Sequence, residues 1–204
     1  MLSSRVFAAG LFVATVTSHA PLAAQARSQI TPFFTAFFAA LPYAKDIGNA
    51  DERLTSAPGV GVRATIKVAS QVSVDGQFAY VFSGRQAKLD ADPPIGVFIP
   101  GNAIYASGRV NYHPRRSNFR GFVGAGYQKL GGDAWDEDNV GSVNSSSVGG
   151  ILGFGARANI SQTLALDLTV ESFLHSSDPG DYGSKEFQAD IMLTVGIPIG
   201  FGGN

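Results

Sequence analysis

Several clusters in this chain carry side chains capable of chemistry. His175, Ser176, Ser177 and Asp178 run together as a histidine, two hydroxyls and a carboxylate, the residue types of nucleophilic catalysis. Triads of that kind are assembled in space from separate parts of a chain, so adjacency in sequence adds no support. His113 stands directly before Pro114, Arg115 and Arg116, a turn-like setting that suits a solvated residue. Residues 132–139 read GDAWDEDN, where Asp133, Asp136, Glu137 and Asp138 surround the single tryptophan, Trp135. Clustered hard oxygen ligands suit calcium. A twelve-residue loop counted from Asp136 puts Val140 at its fifth position and Ser147 at its twelfth, where an EF-hand needs an oxygen ligand and a bidentate glutamate. A solvated acidic loop is therefore the expectation. The glycines of residues 149–155 open no helix and form no phosphate cradle; within a strand they permit curvature and close packing. With no cysteine, thiolate metal sites, cysteine nucleophiles and disulfides are excluded. No catalytic, cofactor or metal site emerges, and the expectation is a protein that is not an enzyme.

A second group of ionisable residues follows a stricter rule. Arg63, Lys67, Asp75, Arg109, Arg120, Arg157, Asp167, Glu171 and Asp190 all fall on the polar side of segments that alternate apolar and polar residues. In residues 60–68, Val60, Val62, Ala64, Ile66 and Val68 share one face, and Gly61, Arg63, Thr65 and Lys67 share the other. Residues 164–174 and 187–197 repeat the pattern, and 72–82, 104–112, 119–127 and 148–160 follow it with glycine interruptions. Residues 30–40 are the weakest, with Phe33, Phe34, Phe37 and Phe38 on both faces and Pro32 lacking a donor. A period of two is the signature of a strand with two different faces. Eight such segments follow one another.

The links between them alternate short and long. Short ones span 69–71, 113–118 and 161–163; long ones span 41–58, 83–103, 128–147 and 175–186. All long links therefore emerge at one end, as in outer-membrane barrels with tight periplasmic turns and long external loops. From the second segment onward no ionisable group falls on the apolar face, consistent with the cost of about 2–4 kcal/mol for a cation facing lipid at the midplane. Tyr80, Phe82, Tyr112, Phe119, Tyr127 and Phe154 lie on that apolar face, several near segment ends where interfacial aromatic girdles belong.

Composition agrees. Charged residues make up 15%, against about 25% in soluble domains. The net charge of -1 offers no electrostatic case for nucleic acid. No run of about 18 apolar residues could form a spanning helix. Residues 1–26 read as a cleaved export peptide: Arg5, the apolar run 6–16, then Ala24-Gln25-Ala26 as a cleavage signal with the cut after Ala26.

On these features the chain resembles the small eight-stranded outer-membrane β-barrels of the OmpA and OmpX type. The resemblance covers nearly all of residues 27–204 and is carried by GFGARANISQTLALDLTVESFLH (153–175) and FQADIMLTVGIPIGF (187–201), though Gly202, Gly203 and Asn204 follow the aromatic Phe201. It implies an all-β, eight-stranded antiparallel up-and-down transmembrane β-barrel, monomeric, in the outer membrane of a diderm bacterium. Outer-membrane lipid, lipopolysaccharide and the barrel-assembly machinery would be its partners, with an unknown surface ligand at the external loops. A cell-wall-binding second domain is not expected. The lipid A enzymes among such barrels act at the external leaflet, which would leave His113 at the wrong end. The nine polar-face charges are expected to form a lumenal, structural charge network. The expected function is non-enzymatic: envelope integrity or adhesion-like surface recognition. Alternatives are a narrow channel or hydrophobic-solute transporter, and a secreted lipocalin-like ligand-binding barrel, which would turn the same apolar face inward.

Overall fold

Alternating side chains leave each segment with one face for lipid and one for the interior, and a closed ring of strands satisfies both without leaving an unpaired edge. The computed structural model describes residues 28–39, 44–47, 50–54, 56–89, 95–133, 146–161, 164–177 and 186–201. The expected export peptide, Trp135 with its neighbours Asp136, Glu137 and Asp138, and Asp178 lie outside the described residues.

The strands are β1 (Ser28–Ala39), β2 (Ala44–Ile47), β3 (Ala50–Leu54), β4 (Ala57–Ala69), β5 (Val72–Val81), β6 (Gly84–Leu89), β7 (Ile95–Pro100), β8 (Asn102–Tyr112), β9 (Phe119–Gly131), β10 (Ser146–Asn159), β11 (Ala165–Ser177), β12 (Glu186–Gly196) and β13 (Ile199–Phe201). Eight walls form the barrel in the order β1, β4, β5, β8, β9, β10, β11, β12, every neighbouring pair antiparallel. The ring closes where β12 returns to β1, with Phe34 opposite Val195 and Phe38 opposite Ile191. Pro198 interrupts the last wall, and β13 resumes the pairing with β1 at Ser28 and Phe201. There is no α-helix among the described residues.

The interior is polar and the exterior greasy. Phe33 is 4% exposed and its neighbour Phe34 74%, so one pleat carries each to an opposite side. Val62, Ile66, Val110, Val123, Leu152, Phe154, Leu193 and Val195 face outward, while Arg63, Asp75, Arg109, Asp167 and Glu171 are buried. A lipocalin-like barrel needs the reverse. Inward aromatics seat over glycines of the adjoining strand: Phe33 is registered with Gly61, Phe122 with Gly153, and a Cβ at either glycine would strike the ring. Glycine there fills the interior by allowing close approach.

Two expectations need correction. The links 41–58 and 83–103, read as loops, contain β2, β3, β6 and β7, which form a second antiparallel sheet in the order β2-β3-β6-β7. Leu54 pairs with Arg85 and Gly84 with Pro100, so two long links are joined to each other. Second, β9 runs beyond residue 127 to Gly131, which places the exposed Lys129 in strand register with outward Ile104. The apolar face thus does carry one cation, at its long-link rim, where headgroups rather than acyl chains lie.

Candidate functional site

Inward positions on six walls bring basic and acidic groups together across the lumen. Arg63 on β4 donates from Nη1 to Asp167 Oδ1 on β11 at 2.9 Å, and from Nε and Nη2 to Gln77 Oε1 at 3.1 and 3.0 Å. Its Nη2 also reaches the hydroxyls of Thr169 at 3.2 Å and Thr194 at 3.3 Å. Arg120 on β9 grips Asp167 with both Nη atoms at 2.7 and 2.6 Å. Fork-to-carboxylate pairs of this kind fix geometry as well as charge. Arg109 on β8 donates to Asp75 Oδ2 at 3.0 Å and to Glu171 Oε2. The flat guanidinium groups also cover rings, Arg63 lying 5.5 Å from the Phe33 centroid and Arg109 4.5 Å from that of Phe122.

Six of the nine singled-out residues, Arg63, Asp75, Arg109, Arg120, Asp167 and Glu171, meet in this cluster. Arg157 joins only at its edge, 3.7 Å from Asp167, and donates instead to Gln29 Oε1 at 2.8 Å. Lys67 has no ion-pair partner among the described residues. Asp190 stands apart. Its Oδ2 accepts from Tyr105 Oη at 3.3 Å and Gln128 Nε2 at 3.3 Å, and lies 3.2 Å from His175 Nε2. Tyr105 and Asp190 sit on opposite walls, as do Gln77 and Glu171, whose contact is 3.4 Å. These contacts tie facing sides of the ring.

His175 and His113 differ from the external loop and the solvated turn expected for them. His175 lies within β11, 3% exposed, its ring stacked on Phe173 at 4.8 Å. It continues the parity of Asp167, Thr169, Glu171 and Phe173, a signal the sequence held. Ser176 points outward from the same strand, so the run of triad-type residues is split between faces. His113 is half-buried at the short-turn end, its Nε2 3.0 Å from Ser73 Oγ. Burial first, and then the neighbouring Arg120 charge, lowers its pKa below the ordinary value. Gln77, Thr169, Thr194, Tyr105 and Gln128 were not singled out, because neutral polar residues are unremarkable until facing walls are known.

Below the cluster, at the short-turn mouth, lies a cavity of about 550 Å³ bordered by Lys67, His113, Arg120 and Arg157. Among the described residues no group of three or more metal-ligating side chains is assembled. The acidic segment that could hold calcium contributes only Asp133 to the described residues.

The family profile of the outer membrane protein beta-barrel domain matches residues 9–194. The chain belongs to that family. As an outer membrane protein beta-barrel domain it resides in the outer membrane, which accounts for the outward apolar belt. Two solved structures share the fold. OprG from Pseudomonas aeruginosa is 16% identical with a TM-score of 0.54, over 88% of this chain and 98% of that one. The outer membrane protein AlkL, solved in lipid bilayers, is 15% identical with a TM-score of 0.59, over 87% of this chain and 90% of that one. At such identity the likeness concerns the fold alone. No curated protein sequence matches the chain.

Proposed function

We propose that this barrel is a non-enzymatic outer-membrane anchor, monomeric, whose interior is a structural plug and whose long-link end is its working surface. The observation that carries the reading is the filled lumen. Arg63, Arg120 and Asp167 tie three walls together, Arg109 and Glu171 add another tie, and Phe33, Phe37, Phe122, Phe173 and Met192 are buried alongside them. Eight strands enclose only enough space for side chains, and here those side chains hold one another. Lipid and lipopolysaccharide would cover the belt, with Lys129 at the level of headgroup phosphates. The joined links of β2, β3, β6 and β7 would give the exposed end a hydrogen-bonded surface for recognition. Planar-bilayer recording on the purified barrel tests the plug: no steady single-channel current is expected. A reproducible open state in the wild-type chain would replace this reading with the narrow channel.

A further inference from the structure

The inward charges are nearly balanced by count, yet they are not balanced by place. Asp190 is held by Tyr105, Gln128 and His175 and meets no arginine or lysine among the described residues. At the short-turn mouth, Lys67, Arg120 and Arg157 border a cavity whose adjoining carboxylate is Asp167. That carboxylate is already committed: Oδ1 takes Arg63 at 2.9 Å and Arg120 at 2.6 Å, and Oδ2 takes Arg120 at 2.7 Å. Arg157 is left with a neutral amide oxygen and a 3.7 Å approach to Asp167, its side chain 41% exposed to the cavity mouth. Lys67 meets no counter-charge among the described residues. Two cations thus face a recess of about 550 Å³, which is within the size range of small-molecule sites. A recess lined by one sign of charge concentrates ions of the other sign.

We propose that the short-turn mouth is a binding site for a small polyvalent oxyanion, phosphate- or carboxylate-bearing, held by Lys67 and the free edge of Arg157. Arg120, itself held by Asp167, lines the recess on the side of the charge cluster, so the anion would enter and leave from the periplasmic side. The hydroxyls of Ser70 and Ser117 and the amide of Asn159 also line the recess and supply hydrogen-bond donors once the two cations have drawn the ligand in. The site stands independently of the surface reading above, since it lies at the other end of the barrel.

The test is calorimetric titration of the detergent-extracted, folded chain at low ionic strength, with inorganic pyrophosphate as one probe and citrate as the other. Saturable binding of either probe is expected, weakened about tenfold or more in the double variant Lys67→Gln/Arg157→Gln and preserved in Lys67→Arg. Binding of pyrophosphate alone assigns a phosphate ligand, of citrate alone a carboxylate. The double variant Arg115→Gln/Arg116→Gln alters exposed turn arginines that do not line the cavity, and it should bind as the parent does. Boiled and unboiled gel mobility checks folding, and Lys67→Gln alone, which breaks no ion pair among the described residues, serves should the double variant misfold. Absence of binding by both probes, affinity unchanged in the Lys67 and Arg157 variants, or equal loss in the turn variant would overturn the site.

Discussion

The two ends of the barrel interior solve the same burial problem with different chemistry. Towards the short turns, arginines of β4, β8 and β9 are neutralised by Asp75, Asp167 and Glu171, with Asp167 shared between Arg63 and Arg120 and Arg109 shared between Asp75 and Glu171. Towards the long links, Asp190 rests among a tyrosine, a glutamine and a histidine, with Phe37, Tyr105 and Phe173 in ring contact around it. The first region depends on charge matching, because a buried ion stripped of its counter-ion is costly. The second depends on dipoles and packing, so loss of its formal charge should matter less.

The largest break in that comparison comes from Asp167→Asn. It leaves Arg63 and Arg120 facing a neutral amide, and unfolding by denaturant in detergent micelles should show a loss of about 3–5 kcal/mol. Glu171→Gln should cost somewhat less, about 3 kcal/mol, because Arg109 keeps Asp75 at 3.0 Å. Bilayer conductance of that variant should stay at the wild-type baseline if the pair is structural; altered ion current with intact folding would assign it to a relay. Asp190→Asn should cost only about 1 kcal/mol, since the Tyr105 hydroxyl and the Gln128 amide can donate equally to an amide oxygen. A loss as large as that of Asp167→Asn would erase the distinction between the two ends. The smallest effect concerns His113. Its lowered pKa means the folded chain prefers the neutral ring, so stability from this group is complete above the ordinary histidine value and declines as pH falls from there through the folded value. An NMR titration of His113 should give a midpoint below that of a free histidine, and a midpoint above it would contradict the burial of the ring.

How much of this was legible beforehand follows from what a period of two encodes. Alternation in 60–68 and 164–174 tells which side of a strand a residue occupies, and the interior positions of Arg63, Asp167 and Glu171 follow from it. Alternation says nothing about height along the barrel. That depends on register, which pairs Asp190 with Phe173 and Ala39 but Asp167 with Gly196. Nine inward charges therefore looked like one network although Asp190 belongs to another layer. The same limit concealed the charge excess at the short-turn mouth. Strands β2 and β6 were illegible for another reason. AKDI and GRQAKL are short and show no two-faced alternation, and the second sheet is read only from the register that joins β3 to β6. His175 was within reach, since extending the parity of β11 by one step puts it inside; the hydroxyls beside it made a loop more plausible.

The valine and leucine rows face acyl chains while the arginines are enclosed, and site-directed spin labelling reads that orientation residue by residue. The chain contains no cysteine, so single cysteines at Leu152, Leu193 and Phe34 can each carry one label without background. In reconstituted bilayers all three labels should collide readily with lipid-dissolved oxygen and scarcely with an aqueous nickel chelate. The reverse preference at these positions would mean that the apolar rows do not face lipid and would contradict a barrel that spans the bilayer with its arginines inside.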